Sequence, residues 1–213
     1  MPQLLSAGGV CVNLKLSCSK MANWGVVRVL LDDVSNTLRR ESSLSKVIVL
    51  SKAEGEYFTP STPLFGVHVA FQFPSLAYEI EEIGKCLALG RSTAAVFHSA
   101  RCLEAAIRAL TRCIGIPDPV KGPDRSWGNI LRSVKDKIDA SWPPNTAGRL
   151  SSDAKLFERC HAALVAMMNP YRNDTMHLDA KYTEAEAVHI YEVIKGFMMI
   201  VASRCDENGE PKV

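Results

Sequence analysis

Arg172, Asn173, Asp174 and His177 place a guanidinium, an amide, a carboxylate and an imidazole within six residues, between two segments of apolar helical pattern. A guanidinium offers five N–H donors in a fixed fork that suits a phosphate, and an imidazole gives and takes a proton near neutral pH. Together they suit phosphodiester chemistry. Asp174 and Asp179 are too few carboxylates to hold Mg²⁺, so neither metal nor cofactor is expected, and Asp174 is read as a substrate contact or as a group that orients Arg172 or His177. A plain turn would be served by Asn-Asp alone, without an Arg and a His beside it. A second Arg–His pair, Arg91 and His98, falls inside a predicted helix and lacks the adjacent polar residue; it is assigned to structure.

The elements that must position this segment are helices. Pro170 ends the helix before it, and Thr183-Glu-Ala-Glu186 has the form of a capping box opening the helix after it. The preceding helix is capped by Ser152 and carries the seam Leu156, Phe157, Cys160, Leu164 and Met167 or Met168, with His161 packed beside it. The following helix, from Glu184 to about Cys205, turns Ala187, Ile190, Tyr191, Ile194, Phe197, Met198 and Val201 toward a core, with His189 on its flank.

Earlier in the chain, residues 75–89 and 92–114 repeat apolar positions at helical spacing, broken at Gly90. The second of these has one apolar seam (Val96, Ala100, Leu103, Ile107, Leu110, Ile114) and a separate polar stripe of His98, Arg101, Arg108 and Arg112, with Glu104 spaced to pair with Arg108. The stripe is either a solvated outer face or the wall of a phosphate-binding cleft, to which Arg101 and Arg108 would contribute. Trp127, Ile130, Leu131, Val134 and Ile138 give a further amphipathic helix after a loop rich in Pro and Gly. The expected fold is all-α, an antiparallel helix bundle over residues 74–205.

Residues 1–73 are read as an N-terminal extension, disordered to about residue 22, with an amphipathic helix on Val27, Leu30, Leu31, Val34 and Leu38. Residues 44–50 fit a second helix or a short strand. Gly55, Pro60 and Pro63 break the chain, and Val67, Val69, Phe71 and Phe73 alternate as in a strand, with His68 exposed between them. Residues 206–213 are read as a disordered tail.

A chain of 213 residues with 47% hydrophobic and 23% charged residues can bury a full core. The longest apolar run, residues 196–202, is far short of a membrane span, and the start lacks a basic secretory signal, so a cytoplasmic protein is expected. Seven cysteines with no C-x-x-C pair and no close His–Cys cluster indicate neither a disulfide framework nor a zinc site. Net charge is only +2, but residues 85–132 hold eight basic residues against three acidic ones, a distribution compatible with a polyanionic partner.

On these residues and motifs, residues 74–205 resemble the HEPN domain, an all-α bundle whose signature is Arg, a polar residue, a short spacer and His near the start of a late helix. Arg172-Asn-Asp-Thr-Met-His177 fits that pattern, and residues 85–104 resemble the helical core of uncharacterised bacterial proteins with the same late motif. The resemblance implies a metal-independent endoribonuclease, as in toxin–antitoxin or phage-defence systems. Arg172 would bind the scissile phosphate, His177 would transfer a proton, and Asn173 would orient one of them. It further implies a homodimer in which two motifs face each other, RNA as partner, and an antitoxin or other protein as a possible second partner. The alternative is a non-catalytic helical module of the same kind that binds a nucleotide or a protein.

Overall fold

The computed structural model describes residues 24–44, 48–118, 126–167 and 181–211. Among them the chain is all-α, with eight α-helices and no strand: α1 (Trp24–Leu44), α2 (Lys52–Phe58), α3 (Val67–Gln72), α4 (Ala77–Ala88), α5 (Ser92–Cys113), α6 (Trp127–Ser141), α7 (Ser152–Met167) and α8 (Glu184–Arg204). The chain divides into two units, residues 1–49 and 50–213. Within the first, α1 has the expected amphipathic spacing, yet none of its residues is buried.

The second unit is built around α5. Its predicted seam is buried at Val96, Leu103, Ile107 and Leu110, and a run of small residues on an adjoining face, Ala95, Ser99, Cys102, Ala106 and Ala109, is buried as well. Small side chains let neighbouring helices approach closely, which makes α5 the central helix. α4 turns back onto it through Gly90, whose φ of +64° a residue with a Cβ adopts at a cost. α6 and α7 form a second antiparallel pair, in which His161 Nε2 meets the Leu131 carbonyl at 3.2 Å and Trp142 stacks on Phe157. His161 is therefore a packed residue, as its seam position indicated. α5 and α8 run parallel rather than antiparallel. The Tyr182 N–H donates to Thr93 Oγ1 at 3.4 Å at one end, and Arg112 Nη1 donates to the Glu207 carbonyl at 3.3 Å at the other. The α6–α7 hairpin provides the crossover that a parallel pair requires.

Local side-chain caps explain four of the eight helix starts. The Thr183–Glu186 capping box forms as read, with the Thr183 N–H donating to Glu186 Oε2 at 2.8 Å. α7 is capped one residue earlier than expected: Ser151 Oγ, not Ser152, accepts the Ala154 N–H. A helix not anticipated, α2, begins with a second capping box, Ser51 with Glu54, inside the stretch read as broken by Gly55. α2 lies so close to α4 that a Cβ on Gly84 would meet the Tyr57 carbonyl oxygen at 2.3 Å and Leu64 Cδ1 at 2.6 Å.

Residues 67–73 are a helix and not a strand. Phe65, Val69 and Phe73, spaced by four, are buried together, while Val67 and Phe71 face solvent. Tyr191 of α8 closes this corner, its ring against Tyr57 and Phe65 and its hydroxyl donating to the Leu64 carbonyl at 3.2 Å. Residues 206–211, read as tail, form a turn over the end of α5. The Asp206 N–H donates to the Glu210 carbonyl, the Glu207 N–H donates to the Gln72 carbonyl, and Cys205 bridges to Pro211. Gly209 has φ +82°, and a Cβ there would lie 2.4 Å from Arg112 Cβ, so only glycine fits.

Candidate nucleic-acid interface

Arg172, Asn173, Asp174 and His177 lie outside the described residues. A few residues further on, Tyr182 and the Thr183 cap sit at the N-terminal end of α5, beside Thr93. The α5 stripe starts from that end. At the helical rise of about 1.5 Å per residue, Arg101 lies about 12 Å and Arg108 about 22 Å along α5 from Thr93. These two arginines therefore occupy different depths of one long face.

The stripe is organised by a carboxylate that the sequence did not single out. Glu79 of α4 is only 7% exposed, and its two oxygens divide between neighbours on α5: Oε2 lies 2.8 Å from His98 Nδ1, and Oε1 lies 2.8 Å from Arg101 Nε. The His98 ring is further bounded edge-on by Tyr78 and Phe97. Arg91, the other half of the second Arg–His pair, is the N-cap of α5, its N–H donating to the Cys86 carbonyl at 2.7 Å. Arg91 thus stands at the break before α5 and not inside a helix as expected, and His98 is engaged by Glu79. No signal in the sequence links Glu79 to His98 and Arg101, because the pairing exists only once α4 folds back on α5.

At the other end, Arg112 is held by a two-pronged pair with Asp118, Nε to Oδ1 at 3.0 Å and Nη2 to Oδ2 at 2.5 Å. The guanidinium holds the Asp118 carboxyl below its usual range, and the carboxylate raises Arg112 in turn. Arg108 lies between these two paired arginines. It is exposed and has no side-chain hydrogen bond or ion pair among the described residues. It borders two clefts at once. One, of about 530 Å³, is lined by Glu79, Arg101, Arg108, Arg112 and the 207–208 turn. The other, of about 430 Å³, is lined by Arg108, Thr111, Asp118, Trp127, Asn129 and Ser133. Both are polar and open, Glu104 lines both beside Arg108, and Arg108 acts on the Asp118 carboxylate through space without a direct bond.

Comparison with protein-family models, with curated proteins and with solved structures finds no match to this chain. Among the described residues no helix is long and apolar enough to cross a membrane.

Proposed function

We propose that this chain is an endoribonuclease that cuts without a metal ion, with Arg172, Asn173 and His177 at the reacting phosphate and Arg101 and Arg108 along the RNA backbone. The observation that carries the reading is Arg108, an exposed guanidinium without an ion pair among the described residues, at the junction of two polar clefts on the helix whose far end meets Tyr182, five residues past His177. An arginine in that setting is a phosphate contact of the kind that positions a strand.

The chemistry is set by the motif. His177 takes the proton of a ribose 2′-hydroxyl or gives one to the leaving 5′-oxygen, and the hydroxyl oxygen attacks the adjacent phosphorus. Arg172 meets the charge that develops on the phosphate oxygens, and Asn173 or Asp174 orients the pair. The products are a 2′,3′-cyclic phosphate and a free 5′-hydroxyl, and DNA, which has no 2′-hydroxyl, is left intact. Incubation of the purified chain with total RNA, beside an Arg172→Ala His177→Ala double variant, tests the reading. Binding without cleavage would assign the protein to the non-catalytic alternative, and neither binding nor cleavage would sink both.

Arg108→Ala is expected to weaken RNA binding to a similar degree for all sequences and to reduce the slope of log affinity against log salt by about 0.7. Affinity measured from low to moderate salt checks this; an unchanged slope would remove Arg108 from the interface.

The same reading has the chain act as a homodimer, since one Arg–His pair is a sparse catalytic set and two-fold symmetry doubles it with no new residues. Met199 and Ile200 on α8 are apolar and about half exposed, which supports a partner on the last helix. Light scattering should give a dimer mass at micromolar concentration, and a monomer at high micromolar concentration would contradict it.

A further inference from the structure

The end of α2, the 59–66 loop with α3, and the first turns of α4 enclose a cleft of about 250 Å³ at one corner of residues 50–213. Its walls are apolar and aromatic. Tyr57, Phe58, Phe65 and Phe73 supply rings, and Pro60 and Pro63 stiffen the loop among them because each fixes its own φ. Packing holds these walls in place. Tyr57 and Phe65 both rest on the Tyr191 ring, the Tyr191 hydroxyl donates to the Leu64 carbonyl, and the Gly66 N–H closes a turn on the Pro63 carbonyl at 2.7 Å. At the mouth the lining turns outward: Phe58 is 39% exposed, and Ala70 and Ala77 face solvent. Glu81 is the one charged residue among the described residues that line the cleft. Its Oε1 lies 2.7 Å from Lys85 Nζ, which also lies 2.9 Å from Glu82 Oε1, so two carboxylates share one ammonium and this group keeps a net negative charge.

We propose that this cleft binds a small organic ammonium ion with an aromatic or branched apolar body. The volume lies just under that of pockets for drug-sized molecules, about 300–1,000 Å³, so it suits one ring with a short arm. Burial of that body against the rings and prolines supplies the larger share of the affinity. Walls already held by Tyr191 lower the cost of ordering the site. Charge decides the class of ligand. A cation is drawn to the negative faces of the aromatic rings and meets the Glu81 carboxylate at the mouth, whereas an anion of the same shape meets that carboxylate as a like charge. The Glu81 side chain is 61% exposed, so water screens the pair and the charge contributes selectivity more than strength. None of the lining residues belongs to the arginine stripe of α5 or to residues 172–177, which makes this site independent of the RNA chemistry above.

The test uses the full chain with phenethylammonium, 2-phenylethanol and phenylacetate, three probes of one shape whose ends are positive, neutral and negative. Saturation-transfer NMR and titration are expected to show phenethylammonium bound at about millimolar concentration, tighter than the alcohol by about three- to tenfold, with phenylacetate weakest. Glu81→Gln should shrink the preference for the ammonium and leave the alcohol unchanged. Ala70→Phe, which fills the mouth, should abolish binding of all three with helix content unchanged. If that variant fails to fold, Phe58→Ala, at an exposed wall, should weaken all three. No binding of phenethylammonium, phenylacetate bound as tightly as the ammonium, or affinities untouched by both Ala70→Phe and Phe58→Ala would overturn the proposal. A basic apolar peptide that binds where the free ammonium does not would assign the cleft to a protein partner and overturn it equally.

Discussion

RNA cleavage by the His177→Ala chain is expected to fall by about 10²–10⁴-fold while its circular dichroism and melting temperature stay those of the unaltered protein. The size of the loss is that of a positioned proton transfer. The 2′-hydroxyl is a poor nucleophile until its proton is removed, and two of the four histidines in the described part of the bundle are already engaged. His98 is engaged by Glu79, His161 by the Leu131 carbonyl, and His68 and His189 lie on α3 and on the flank of α8. Arg172→Lys is expected to lose about 10²–10³-fold, because an ammonium replaces the charge but not the two parallel donors that follow the phosphate oxygens into the transition state. Cleavage that survives His177→Ala within a few-fold would remove this histidine from the chemistry. A parallel loss of melting temperature would show instead that it holds the fold.

Phe73→Ala is expected to destabilise residues 50–213 by about 3–5 kcal/mol, and Phe71→Ala to cost less than about 0.5 kcal/mol. Phe73 is fully buried, in one cluster with Phe65, Val69 and the α8 residues Ile194 and Met198, whereas Phe71 is 78% exposed. The contrast distinguishes a helix from a strand. In a strand, residues 71 and 73 point to the same side of the sheet and both substitutions would cost alike; in a helix they lie about 200° apart, at about 100° per residue. Urea unfolding of both variants, with m-values compared, decides it. Equal losses would argue for the strand that alternation alone predicts.

That segment also shows why part of the fold was legible and part was not. The seams of α5, α6, α7 and α8 each run through several turns, long enough for a period near 3.6 to stand apart from a period of 2, and most residues the spacing named are buried, although the buried small-residue face of α5 was not among them. Val67 to Phe73 is only about two turns. Over so short a span Val-x-Val-x-Phe-x-Phe satisfies alternation, and the competing spacing Phe65, Val69, Phe73 is recognised only when α8 supplies the surface those residues meet. α2 carried a readable signal, Ser51 followed by Glu54, that was outweighed by Gly55 and the prolines after it. The 206–211 turn has no local signature except Gly209, and what fixes it is the end of α5 and the Gln72 carbonyl, both distant in the chain. At the candidate interface, the polar stripe of α5 could be read from spacing. The division of labour within it could not, since Glu79 engages Arg101 and His98, and Asp118 engages Arg112, through pairings that exist only in the folded chain.

The chemical ends left on RNA test metal-independent cleavage most directly. Total RNA incubated with the purified chain in excess EDTA should be cut to fragments bearing 2′,3′-cyclic phosphate and 5′-hydroxyl ends, and the Arg172→Ala His177→Ala variant should leave it intact. Cleavage abolished by EDTA, or fragments bearing 5′-phosphate ends, would contradict attack by the 2′-hydroxyl under the control of Arg172 and His177.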